Sequence, residues 1–236
     1  MARQLAGRGC RIAITGRREK ELKETAERVA SEGGKCLPLV GSVSEREVVA
    51  RHYAAIRERW GGLDWLILNA GVGESVDARH FRADVYDRVF ATNVGGAVNW
   101  LEAALPGMIA SRSGVVAGIS SLAGWRGLPG AGAYSASKAA LATLLESTRV
   151  DLRGTGIEVV IICPGFIRTR DREPGDDQGK IFLLDLDEGV RRILAGIEGR
   201  KRLVHFPWQL SWPMRYVLRN LPGRAYDWVG GRLRRG

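Results

Sequence analysis

Short apolar runs alternate with charged stretches of helical period along most of the chain, and that rhythm leaves few folds open. Arg11–Thr15, Cys36–Val40, Trp65–Leu68, Gly114–Ile119 and Glu158–Cys163 read as strands. Between them, Glu19–Ser31 reads as a charged helix closed by Gly33-Gly34. Glu45–Trp60 carries Val48, Val49, Tyr53 and Ile56 at helical spacing. A long helix is expected from about Ala83 to Met108, and another from about Ala133 to Arg153. Strands that regularly hand over to helices argue an α/β architecture, a doubly wound parallel sheet covered on both faces. A chain of 236 residues suits one such domain with a large core.

Composition narrows the setting. No apolar run reaches about 18 residues, so no crossing helix is expected, and no basic segment with an apolar core marks an export signal. Cys10, Cys36 and Cys163 are odd in number and far apart; they read as reduced core thiols of a cytoplasmic protein, with no metal-ligand spacing. The net charge of +10 is uneven. Residues 201–236 hold eight basic residues against Asp227 alone, or +7, which leaves +3 for residues 1–200. The expected organisation is a Rossmann-like domain over 1–200 and a basic aromatic extension over 201–236.

The chemistry concentrates in Ser121 to Lys138. Tyr134 and Lys138 are four apart, which on a helix puts them on one face. A phenol, with an ordinary pKa of about 10, is a poor proton shuttle at neutral pH, and a fixed ammonium beside it favours the phenolate. Ser121 follows the Gly114–Ile119 run and so falls at a strand's carboxyl end, where open parallel sheets bind ligands. A lone Tyr-x-x-x-Lys arises readily by chance. Its company along the chain raises the signal.

That company resembles the short-chain dehydrogenase/reductase family over residues 1 to about 200. Leu66-Ile-Leu-Asn69-Ala70-Gly71 resembles the family's strand-end Asn-Ala-Gly, and Thr92-Asn93-Val94 its mid-helix Asn. Ser121, Tyr134 and Lys138 fall on its catalytic positions, and Cys163-Pro164-Gly165-Phe166-Ile167-Arg168-Thr169 resembles its Pro-Gly-x-x-x-Thr loop. The resemblance implies an oxidoreductase that interconverts a carbonyl and an alcohol by hydride transfer. Tyr134 would be its general acid and base, Ser121 a hydrogen-bond donor to the substrate oxygen, and Lys138 the cation that tunes Tyr134 and holds the nicotinamide ribose. Asn93 would position a water for proton relay or, equally, satisfy helix backbone. Asn69, Ala70, Gly71, Pro164, Gly165, Ile167 and Thr169 would contact the cofactor, the last two at the nicotinamide carboxamide. Homo-oligomers are common in this family.

Cofactor choice turns on the end of the second family strand, where NAD-preferring sites place a carboxylate. Here the position resembles Gly16, followed by Arg17 and Arg18, and arginine suits a 2′-phosphate. NADP(H) is therefore expected over NAD(H), although an Arg-rich helix start would look the same. Ser42 stands where the family usually has Asp near the adenine and offers a weaker hydrogen bond.

The front of the chain departs from the family. Gly7-Arg8-Gly9 precedes a strand instead of following one, and residues 1–9 resemble the end of the family's first helix. The resemblance implies that the first strand, central in the sheet between those matching Arg11–Thr15 and Trp65–Leu68, is absent along with its Gly-rich phosphate turn. Either the start lies upstream and the enzyme is complete, or the chain is a relative that acts as a binding or scaffold protein without catalysis.

Around the expected site, Trp125, Leu128 and Phe166 suggest a small apolar carbonyl or alcohol substrate, and the charged stretch 168–180 reads as a substrate lid or, alternatively, a solvated connection. In the extension, a short helix is expected from Pro213 to Leu221, with Met214, Val217, Leu218 and Leu221 opposite Arg215 and Arg219. With Trp208, Trp212 and Trp228 nearby, packing or a subunit contact is the first expectation and a membrane surface the second. Nucleic acid is not expected as a partner.

Overall fold

The structure, a computed structural model, describes residues 1–168 and 181–233. The lid expected over 168–180 falls outside them, Arg168 excepted, and so does Thr169. The elements run α1 (Ala2–Ala6), β1 (Arg11–Gly16), α2 (Glu19–Ser31), β2 (Lys35–Val40), α3 (Arg46–Trp60), β3 (Trp65–Leu68), α4 (Ala83–Phe90) and α5 (Gly96–Ser111). They continue with β4 (Gly114–Ile119), α6 (Gly132–Asp151), β5 (Ile157–Pro164), α7 (Leu186–Glu198), β6 (Leu203–Phe206), α8 (Trp208–Tyr216) and α9 (Gly223–Leu233). α7 and β6 go beyond the expected elements, although Val190, Ile193, Leu194 and Ile197 form a buried stripe at helical spacing.

All paired strands are parallel, and they fall into two groups. β1 pairs with β2, Arg11 opposite Lys35 through Gly16 opposite Val40. β3, β4, β5 and β6 pair in that order. Alternate residues of the central strands serve opposite faces. Val116, Val159 and Ile161 share a core with Val49, Ile56, Leu101 and Met108 of α3 and α5 and with Leu141 and Leu145 of α6. Val115, Ala117, Val160 and Ile162 share the other core with Val29 of α2 and the α7 stripe. β5 is therefore apolar almost without interruption, as a strand covered on both sides must be. This is the doubly wound α/β arrangement.

Among the described residues no strand lies between β1 and β3. Two cavities of about 290 and 570 Å³ occupy that cleft, both lined on one side by Ile12–Thr15 and on the other by Ile67, with Leu68 at the smaller and Leu66 at the larger. The expected long helix over 83–108 runs as α4, one π turn at Ala91–Gly95, and α5. A π turn inside a helix commonly marks a functional position.

The tail differs from expectation. Its helix spans Trp208–Tyr216, followed by a 3₁₀ turn at Leu218–Asn220, instead of Pro213–Leu221. At its far end the reason is local: Leu221 precedes Pro222, which drives it to an extended conformation, φ −61° and ψ 137°. Only Met214 and Leu218 of the expected apolar face join the core, while Val217 stays exposed.

Leu145 is fully buried against β4. Leu145→Ala is expected to lower the unfolding free energy by about 2–5 kcal/mol, read as a shift of the urea midpoint at constant slope.

Candidate active site

The carboxyl end of β4 delivers Ser120 and Ser121. The Ser120 hydroxyl donates to the Lys138 carbonyl at 2.8 Å. Ser121 caps the one-turn helix Leu122–Gly124, its oxygen accepting from the Ala123 N–H at 3.1 Å. Gly124 is where this turn meets α6: a Cβ there would lie 2.9 Å from backbone atoms of Lys138 and Ala139. The serine turn is thus pressed directly onto the helix that carries Tyr134 and Lys138.

Lys138 is 4% exposed, yet its ammonium keeps one protein partner on the strand side, donating to the Ile119 carbonyl at 2.8 Å. Its Nζ lies 5.7 Å from the centre of the half-buried Tyr134 ring. Burial pushes Lys138 down to about 8, because a buried ammonium is poorly hydrated. The same environment pushes the buried Cys163 thiol up to about 11, leaving it protonated at neutral pH.

The loop after β3 closes over this group. Asn93, 1% exposed within the π turn, accepts from the Val72 N–H at 2.7 Å and donates to the Val72 carbonyl at 2.9 Å. Its second N–H reaches the Ser137 hydroxyl at 2.9 Å, which in turn donates to the Tyr134 carbonyl at 2.8 Å. One asparagine therefore ties the loop to α6. The loop backbone passes so close that a Cβ on Gly71 would lie 3.0 Å from the Lys138 Nζ, and one on Gly73 equally close to the Tyr134 ring. Asn69 and Ala70 line the smaller cavity together with Thr15 and Asn93, which links the site to the end of β1. Ser120 and Ser137 go beyond the expected residues. Ser137 stands three residues after Tyr134, a spacing at which a serine bonds back to the helix carbonyl.

The remaining expected residues surround this centre. Arg17 and Arg18 follow β1 and are exposed, with Arg18 paired to Glu21 at 3.5 Å. The Ser42 hydroxyl lies 2.7 Å from that of Ser44 after β2. Pro164 ends β5, and the Gly165 N–H donates to the Phe206 carbonyl at 2.7 Å. Ile167 bridges to Leu184, and the Phe166 carbonyl accepts from the Leu184 N–H at 3.0 Å. Trp125 and Leu128 are half-buried; the Trp125 ring meets His205 edge-on at 5.5 Å, and the Arg215 guanidinium lies 5.7 Å from it. No group of His, Cys, Asp and Glu among the described residues could hold a metal ion.

Comparison with known proteins shows the family and the fold. The family described as short chain dehydrogenase matches residues 1–178. An uncharacterized oxidoreductase of Myxococcus xanthus is 38% identical over 234 residues, which cover 99% of this chain and 92% of that protein. Serine dehydrogenase from Escherichia coli superposes with a TM-score of 0.65 at 28% identity, over 70% of this chain and 76% of that one. A metagenomic short-chain oxidoreductase in complex with NADP superposes with a TM-score of 0.66 at 30% identity, over 69% and 74% of the two chains.

The burial of Lys138 has a consequence for stability. In the fold Lys138 loses its proton near pH 8, whereas an unfolded lysine keeps it to about 10.5. Between those values the unfolded chain binds more protons, so stability rises with pH. Lys138→Met is expected to show a smaller rise, read from urea midpoints of both proteins at pH about 8 and about 10.

Proposed function

This chain belongs to the short-chain dehydrogenase family, and on that premise we propose that it is an NADP(H)-dependent oxidoreductase interconverting a small apolar carbonyl compound and its alcohol. The reading is supported by the buried Lys138 ammonium beside the Tyr134 ring, with the turn that Ser121 caps packed on the same helix. NADPH, when bound, supplies the hydride. The Tyr134 phenol gives its proton to the carbonyl oxygen as charge develops there, and takes it back in the oxidative direction. Ser121 accepts from the Ala123 N–H with one lone pair and keeps its own O–H to donate to the substrate oxygen, which it steadies. Lys138 holds a positive charge at neutral pH, which favours the phenolate of Tyr134. One of its three N–H groups goes to Ile119, leaving donors for the ribose hydroxyls. Asn93, with both amide groups engaged, acts on this reading by fixing the loop; its remaining lone pair is open to a water.

The residues present suit the two ends of the dinucleotide. Arg17 and Arg18 would offer charged forks to a 2′-phosphate, and Ser42 would hydrogen-bond near the adenine. Pro164, Gly165 and Ile167 would hold the nicotinamide end, and Asn69, Ala70 and Gly71 would contact the cofactor between the two ends. Trp125, Leu128 and Phe166 supply the apolar wall for substrate. A second reading, a binding or scaffold protein without turnover, draws on the cleft between β1 and β3: the described residues supply no glycine-rich turn for a pyrophosphate there.

The test is consumption of NADPH and NADH with a panel of small apolar aldehydes and ketones. Tyr134→Phe is expected to lower kcat by about 100-fold or more while the dissociation constant for NADPH, read by fluorescence titration, stays unchanged. Joint replacement of Arg17 and Arg18 by alanine is expected to raise the KM for NADPH by about tenfold and leave that for NADH unchanged. Failure of the wild-type protein to bind NADPH at all would move the reading to the scaffold.

A further inference from the structure

The tail holds aromatic residues that the fold does not use. On α8, Trp208, Trp212 and Tyr216 recur every four residues and are 71%, 56% and 54% exposed. On α9, Arg224, Trp228 and Arg232 recur at the same interval, with Trp228 62% exposed. The chain has seven tryptophans; the four outside the tail are buried or half-buried, and the three exposed ones all lie here. The inner sides of both helices are already committed. Met214 and Ser211 are buried, with Ser211 bonded to His205 at 2.9 Å. Arg126 donates to the carbonyls of Arg219 and Leu221, and Tyr226 donates to the Gly127 carbonyl. Packing thus accounts for one side of the tail and leaves the aromatic side open. No helix among the described residues is long and apolar enough to cross a membrane.

We propose that the outward faces of α8 and α9 dock this protein on an anionic lipid membrane surface. Tryptophan and tyrosine suit the boundary between headgroups and acyl chains, where one end of the ring is apolar and the other wet. Arginines interleaved with them would meet lipid phosphates, and the +7 charge of residues 201–236 adds long-range attraction. The same charge disfavours a second copy as the occupant, because a twofold contact would set two such tails against each other. Single-stranded nucleic acid needs open ring faces on which bases stack. Here the Trp212 and Tyr216 rings pack on each other at 5.7 Å, and the Arg232 guanidinium lies 3.5 Å from the Trp228 ring centre.

Co-sedimentation of the full chain with vesicles tests the proposal, using phosphatidylcholine alone and phosphatidylcholine mixed with phosphatidylglycerol. The wild-type protein should pellet with the mixed vesicles only and be released by high salt. The double variant Trp208→Ser/Trp212→Ser and the double variant Arg224→Glu/Arg232→Glu should each bind about tenfold more weakly, or less, with unchanged melting temperatures. Absence of binding to either vesicle would overturn the proposal, as would equal binding by wild type and both variants. So would a concentration-dependent dimer, seen by analytical ultracentrifugation without vesicles and abolished by the tryptophan changes, which would make the surface a contact between copies. Stronger binding to a single-stranded oligonucleotide than to the mixed vesicles would overturn it as well.

Discussion

The candidate site is organised around an ammonium taken out of water. Burying the Lys138 charge costs several kcal/mol unless partners replace its hydration, and within the described residues its Nζ hydrogen-bonds to the Ile119 carbonyl. The surrounding structure is arranged to hold it there. Ser120 bonds the Lys138 carbonyl, the Leu122–Gly124 turn lies in contact with its backbone, and the loop after β3 crosses over its Nζ at Gly71. A lysine present only for packing would be replaced at lower cost by leucine or methionine. One kept buried and under-solvated is suited to transmitting its charge to Tyr134 and to a ligand, because the low local dielectric strengthens both interactions.

Asn93 extends that organisation across the sheet. Its three hydrogen bonds join the strand-end loop, the π turn between α4 and α5, and α6. The π turn offsets the helix just where this side chain must point inward. Loop, helix and serine turn are consequently tied together by hydrogen bonds and close packing at the carboxyl ends of β3 and β4. The β1–β2 pair, with Arg17 and Arg18, approaches that unit across the cleft instead of through strand pairing. The proposed two-ended grip on a dinucleotide would therefore span two parts of the sheet.

Much of this was legible in the residue order, because the signals are local. The five expected strands all occur within a residue or two, and the helices α2, α3 and α6 start and stop near their expected ends, since periodicity and glycine placement act over a few neighbours. The α7 stripe was equally readable from Val190, Ile193, Leu194 and Ile197. The tail helix departs from the periodicity of Met214, Val217, Leu218 and Leu221, because the Pro222 ring disfavours helical geometry at Leu221. The partnership of Asn93 with Val72 had no local signal, being made across 21 residues.

By itself the sequence determined the alternation that builds a doubly wound parallel sheet, the placing of Ser121, Tyr134 and Lys138 at one strand end and one helix face, and the concentration of positive charge in the last 36 residues. Those properties depend on spacing and composition alone. Only the tertiary structure decided how deeply Lys138 is buried, what anchors Asn93, and that the tail tryptophans face outward. Desolvation and long-range contacts depend on which surfaces meet in three dimensions, and no window of neighbouring residues contains that information.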